Sequence, residues 1–161
     1  MTNQELIKKF YTSFSNADVN GMLSCYHDNI IFTDPAFGTL KGDRAKAMWQ
    51  MLLSKSNGGT QITFNTIKTN KNTGSVHWKA VYNYGPKKRS VVNNITANFT
   101  FLDGKIIEHT DSFNLWKWSK QALGISGYLL GWSSFLKTKI QTKTNNLLDK
   151  FISSSKNTEL K

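Results

Sequence analysis

At 161 residues the chain suits one domain, and 39% hydrophobic residues suffice for a single core. The formal charge of +11 comes from 21 basic against 10 acidic side chains, yet only Arg44 and Arg89 are arginines and no zinc, ribonucleoprotein or glycine-lysine motif accompanies the lysines, which argues against a nucleic-acid partner. A single cysteine, Cys25, excludes an internal disulfide framework and a cysteine-rich metal site.

The first ten residues lack an apolar signal core after a basic start, so the cytoplasm is the expected compartment. Leu6, Ile7, Phe10, Tyr11 and Phe14 recur at helical spacing, and Asp18 opens a second short helix carrying Val19, Met22, Leu23, Cys25 and Tyr26, ended by His27. Ile30 to Asp34 reads as a strand stopped by Pro35, and Lys41-Gly42-Asp43 leads into a helix with Ala45, Met48, Trp49 and Leu52 on one side. After Ser56-Asn-Gly-Gly59 the period changes from helix to strand. Strands are expected over 60–69, 75–84, 90–101 and 105–113, with Asp103-Gly104 a strong hairpin signal.

Parity then sorts the strand faces. Val76, Trp78, Ala80, Tyr82 and Tyr84 share one face, as do Val91, Asn93, Ile95, Ala97, Phe99 and Phe101, with His77 on the opposite side. In the last strand Ile107, His109, Asp111 and Phe113 share a face, so a histidine and a carboxylate two residues apart lie among apolar side chains. Burying such groups costs several kcal/mol unless they are paired, solvated or used. Helices followed by hairpin-connected strands predict an α+β domain: a cone-shaped, curved antiparallel sheet wrapped around N-terminal helices, with a hollow lined by Trp78, Tyr82, Phe99, His109 and Asp111.

The remainder is a basic helical tail. Residues 112–161 hold 8 basic and 2 acidic side chains, against 13 and 8 in residues 1–111. A short helix over 116–124 ends at its glycine, and a longer one over about 128–153 carries Leu129, Trp132, Leu136, Ile140, Leu147, Leu148 and Phe151 mostly on one face. The weakly polar run 125–136 is too short to cross a bilayer. The tail has three readings: a lid over the pocket mouth, a homodimer contact, or a basic amphipathic anchor on an anionic membrane surface. The division expected is a domain over 1–124 and an extension over 125–161.

Several segments in this order resemble the nuclear transport factor 2-like superfamily, and within it a SnoaL-like member. They are Phe14-Ser-Asn-Ala-Asp18, Tyr26-His-Asp-Asn-Ile-Ile-Phe-Thr-Asp-Pro35, Gly38-Thr-Leu-Lys-Gly42, Asp103-Gly-Lys-Ile-Ile107 and Gln121-Ala-Leu-Gly124. The resemblance implies a base at Asp34, where the related ketosteroid isomerases carry theirs. It also implies that steroid isomerisation is absent, because the isomerase tyrosine falls on Phe10, with Tyr11 one residue out of step, and its aspartate on Ala97 or Thr96. Of the epoxide hydrolase Asp-Arg-Asp set only the last acid survives, at Asp111, the arginine and the first acid falling on Ala80 and Tyr82. The SnoaL-like cyclase acid falls on Asn114, an amide.

What remains as candidate catalytic residues is Asp34, His109 and Asp111, since a histidine beside a carboxylate can exchange a proton near neutrality. Tyr11, Trp49, Trp78, Tyr82, Asn93, Phe99 and Phe113 are the candidate ligand-binding residues. One inward histidine offers too few nitrogens for a transition metal, and no organic cofactor is implied. Two functions stay open. One is a pocket that binds, and as an enzyme would convert, an apolar polycyclic or lipid-like molecule by acid/base chemistry: isomerisation, cyclisation, dehydration or hydrolysis. The other is a binding module without chemistry.

Overall fold

The computed structural model describes residues 1–56, 59–125, 127 and 133–159. Helix α1 (Asn3–Ser15) starts at a capping box in which Thr2 and Glu5 exchange side-chain and backbone bonds, and it buries Leu6, Ile7, Phe10, Tyr11 and Phe14. The Asp18 carboxylate caps α2 (Val19–Leu23) by accepting from the Gly21 amide. Strands β1 (Tyr26–Asp34) and β2 (Gly38–Lys41) follow, then α3 (Gly42–Ser56), β3 (Gln61–Thr69), β4 (Thr73–Tyr84), β5 (Arg89–Leu102) and β6 (Lys105–Ser112). Helices α4 (Leu115–Leu123) and α5 (Ser134–Glu159) close the chain.

The six strands form one curved, open sheet in the order β2-β1-β6-β5-β4-β3. All neighbours are antiparallel except β1 and β6, which run parallel. The expected antiparallel sheet is thus mixed at one junction, because the chain returns from β5 to lay β6 against the first strand. The inner face packs on α1 and α3, and its core joins Phe10, Tyr11, Phe32, Met48, Trp49, Trp78 and Phe99.

Four sequence expectations need correction. Tyr26 and His27 begin β1 rather than end α2, because the polar run His27-Asp28-Asn29 masks a strand that pairs with β6 through an irregular register. The short β2 pairs with β1 and was hidden in the approach to α3. On α3 the inward residue is Met51, 2% exposed, and Leu52 is 38% exposed. On β6 the register against β5 slips between Thr100 and Phe101, so Ile106 is buried and Ile107 is displaced from the parity of His109. A β-bulge adds one residue on one strand and reverses parity beyond it.

The tail folds back on its own subunit. Gly124, at φ +67, ends α4 as expected, and Leu136 and Ile140 of α5 join Val91, Trp118 and Ala122 in a second apolar cluster. Leu148 is fully buried in the main core, whereas Leu147, expected on the same face, is exposed. The expectations for Leu129 and Trp132 lie outside the described residues. No helix among the described residues is long and apolar enough to cross a membrane.

Candidate functional site

His109 lies on β6 between Phe32 of β1 and Phe99 of β5, its register partners on either side. The rings of Phe10, Phe32, Trp49 and Phe99 surround it, and its side chain has no exposure. Both ring nitrogens are occupied. Nδ1 is 2.7 Å from the Tyr26 hydroxyl and Nε2 is 3.0 Å from Asp111 Oδ1. The Trp49 indole donates to the Tyr26 oxygen at 2.9 Å, and the Trp78 indole donates to Asp111 Oδ1 at 3.2 Å.

One arrangement of protons gives every donor in this chain an acceptor. Trp49 N–H donates to Tyr26, Tyr26 O–H donates to Nδ1 of a neutral imidazole, and Nε2–H donates to Asp111, which also accepts from Trp78. Such complete pairing is what a buried polar chain requires, since each group left unpaired costs about 1–3 kcal/mol. Burial, and then the Asp111 charge, push the Tyr26 phenol well above its ordinary value, which keeps its proton in place. Ala97 pairs with Asp111 across β5, and its small side chain leaves room for the Trp78 indole to reach over from β4.

Asp34 ends β1. It lies one residue past the Thr33–Thr110 pair, the last in the parallel register with β6, and within reach of the Asp111 charge. Its Oδ1 accepts the Phe37 amide at 2.5 Å, so it caps the turn at Pro35. Burial lifts its carboxyl to about 7, and the Asp111 charge adds to the rise against the Phe37 and Ala36 amides, which pull it down. The result is a carboxyl that is half protonated near neutral pH.

Tyr11 is wholly buried, and its hydroxyl has no hydrogen-bond partner, the one buried side-chain polar atom so placed among the described residues. Its ring packs on Phe64, Trp78 and Phe99. Burial chiefly, and the Asp111 charge next, raise its phenol well above the ordinary value. Tyr82, half buried, accepts from the Trp118 indole at 2.8 Å, while Asn93 is half buried on β5 and Phe113, just past β6, bridges the two apolar clusters.

The structure therefore brings His109 and Asp111 into direct contact and Asp34 into the reach of the Asp111 charge. It packs the rings of Trp49 and Phe99 against the imidazole. Tyr26 was missed by sequence reasoning, which had it on a helix; only the parity of Ile30 and Phe32 carried back past the polar run pointed to it. Asn114 accepts the Lys117 amide at 2.8 Å as the N-cap of α4, which accounts for an amide there. Two polar grooves, of about 500 and 430 Å³, lie on the outer sheet face among such residues as Lys68, Asn98 and Glu108, and His77, Lys79 and Asn94. Neither touches Asp34, His109 or Asp111. The chemistry-bearing residues lie inside, so the outer grooves are not the candidate site. Among the described residues no three His, Cys, Asp or Glu side chains are placed to hold a metal ion.

Residues 7–109 match the model of the SnoaL-like domain family, and the chain belongs to that family. Solved structures of the same fold include TerC crystallised with polyporic acid, at 19% identity and TM-score 0.59, covering 68% of this chain and 88% of that one. A candidate polyketide cyclase from Pseudomonas putida is 22% identical, TM-score 0.58, with 76% and 98% covered. A nuclear transport factor 2-like protein of unknown function from Cytophaga hutchinsonii is 16% identical, TM-score 0.58, with 70% and 99% covered. No curated protein matches the chain.

Proposed function

We propose that the inner face of the sheet binds an apolar, oxygen-bearing small molecule, polycyclic or lipid-like, and converts it by cofactor-independent proton transfer. The observation that carries this reading is the buried, unpartnered Tyr11 hydroxyl in the field of Asp111. A buried donor without an acceptor asks for a guest oxygen. Asp34, with its carboxyl near 7, exchanges the proton, because an acid/base group works best when its pKa matches the ambient pH. Asp111, pinned by His109 and Trp78, supplies fixed negative charge, and Tyr82, Asn93 and Phe113 line the approach. The co-crystallisation of TerC with polyporic acid and the cyclase description of the Pseudomonas putida neighbour support a ligand of this class.

The burial of Leu136, Ile140 and Leu148 against the chain's own core favours the lid among the three roles for the 125–161 extension of the 1–124 domain. An anchor or a dimer contact built on that helix face would have to give up this packing.

A second reading, a binding module without chemistry, draws on the closed bonding of His109: both nitrogens are used and none of its surface is accessible. The two readings separate in one experiment. Small molecules co-purifying with the protein are identified by native mass spectrometry, and these compounds and polyporic acid are offered to the wild type, Asp34→Asn and Asp111→Asn. Retained binding with lost product formation in Asp34→Asn supports the enzyme. Normal binding by both variants, with no compound turned over by the wild type, removes the catalytic reading.

A further inference from the structure

The turn that carries Asp34 is held from behind by α5. Gln141 Nε2 donates to the Pro35 carbonyl at 3.1 Å and Asn145 Nδ2 to the Phe37 carbonyl at 2.9 Å, while the single Thr144 hydroxyl proton has its shortest acceptor in the Ala36 carbonyl at 2.8 Å, ahead of the Gln141 and Ile140 carbonyls of its own helix at 3.0 and 3.1 Å. Positions 141, 144 and 145 are spaced i, i+3 and i+4, so they form one helix face, and it takes three successive carbonyls of one turn. Arg44 of α3 locks the arrangement, donating to Asn145 Oδ1 at 2.8 Å and to Asp149 Oδ1 at 2.5 Å. Gly38, at φ +75, holds the left-handed conformation that favours glycine where the strand after the turn passes Gln141.

The geometry matters because a carbonyl and the following N–H belong to one rigid peptide plane. The Ala36 carbonyl held by Thr144 and the Phe37 N–H given to Asp34 are opposite ends of a single plane. The Pro35 carbonyl held by Gln141 and the Ala36 N–H, which also favours the Asp34 carboxylate, are opposite ends of the plane before it. Fixing the carbonyls outward fixes the amides inward, and a bond accepted at one end polarises the donor at the other. The family match ends at residue 109, so this face of α5 lies outside the matched domain.

We infer that Thr144 and Gln141, supported by Asn145 and Arg44, are positioning residues for Asp34, acting on it through the two peptide planes of residues 35–37. The inference rests on reading Asp34 as the acid of the site, and its test needs no ligand. The titratable groups that interact with Asp34 from other strands are Asp111 of β6 and Tyr82 of β4, and both are left intact.

The Asp34 carboxyl carbon is followed by ¹³C NMR across pH in the full-length protein, with its resonance assigned by its loss in Asp34→Asn. Thr144→Val keeps the shape and removes the donor, so the bulk over Asp34 stays while the amide bond to its carboxylate slackens. The midpoint rises by half a pH unit or more in Thr144→Val and returns to the wild-type value in Thr144→Ser. Gln141→Leu produces a rise of the same sign through the other plane, and decides the matter should Thr144→Val not fold. A smaller change, or a fall, in the folded variants overturns the inference. Failure of the protein to bind any small molecule would count against the proposed function and leave this titration standing.

Discussion

Tyr26 and His109, 83 residues apart, meet at 2.7 Å between the adjacent strands β1 and β6, inside a shell of aromatic rings. The contact joins two indoles, a phenol, an imidazole and a carboxylate into one bonded chain running from Trp49 to Trp78.

Tyr26→Phe removes the middle of that chain without changing its bulk. Trp49 N–H and His109 Nδ1 lose their partner together, and the expected loss is about 1–3 kcal/mol for each group left unsatisfied. Urea denaturation of the variant against wild type measures it. A loss below about 0.5 kcal/mol would mean that the chain is not fully paired in the way its geometry implies.

Asp34 makes stability depend on pH in the opposite sense to an ordinary ion-paired carboxylate. Its folded value near 7 exceeds its ordinary value of 3.8, so between these pH values the unfolded chain holds fewer protons than the folded one. The stability contributed by Asp34 is therefore largest below about pH 4, falls as pH rises toward 7 by at most ~1.4 kcal/mol per unit, and levels off above. Asp34→Asn removes this contribution. Denaturation midpoints of both proteins at pH 4.5, 6 and 7.5 should differ most in their slopes; parallel curves would show that Asp34 titrates normally.

Much of this was legible in the chain itself. The aromatic parity of β4 and β5 and the inward His109–Asp111 pair follow from period-two alternation among residues with no competing signal. What escaped was set by tertiary pairing. Tyr26 is a strand residue because β6 lies beside it, not because its neighbours His27, Asp28 and Asn29 favour a strand. The bulge that turns Ile106 inward exists only against β5. The bonds from Gln141, Thr144 and Asn145 to the turn at Pro35 span more than a hundred residues, and nothing local to either segment announces them.

Asn114 distinguishes a cap from a reacting group. Asn114→Ala should cost about 0.5–2 kcal/mol through loss of the bond to the Lys117 amide. Asn114→Asp puts a carboxylate where related cyclases have one, yet the side chain keeps its cap, so stability should be unchanged or slightly higher and no turnover should appear or increase. An increase in product formation by Asn114→Asp would show that position 114 reaches the reacting molecule.

The unpaired Tyr11 hydroxyl is proposed to donate to a guest oxygen, and the affinity of the small molecule that co-purifies with the protein for wild type and Tyr11→Phe, read from tryptophan fluorescence, tests this most directly. Wild type should bind, and the variant should bind about tenfold or more weakly, a difference of ~1.4 kcal/mol for one hydrogen bond. Equal affinity in the two proteins, or binding by neither, would contradict it.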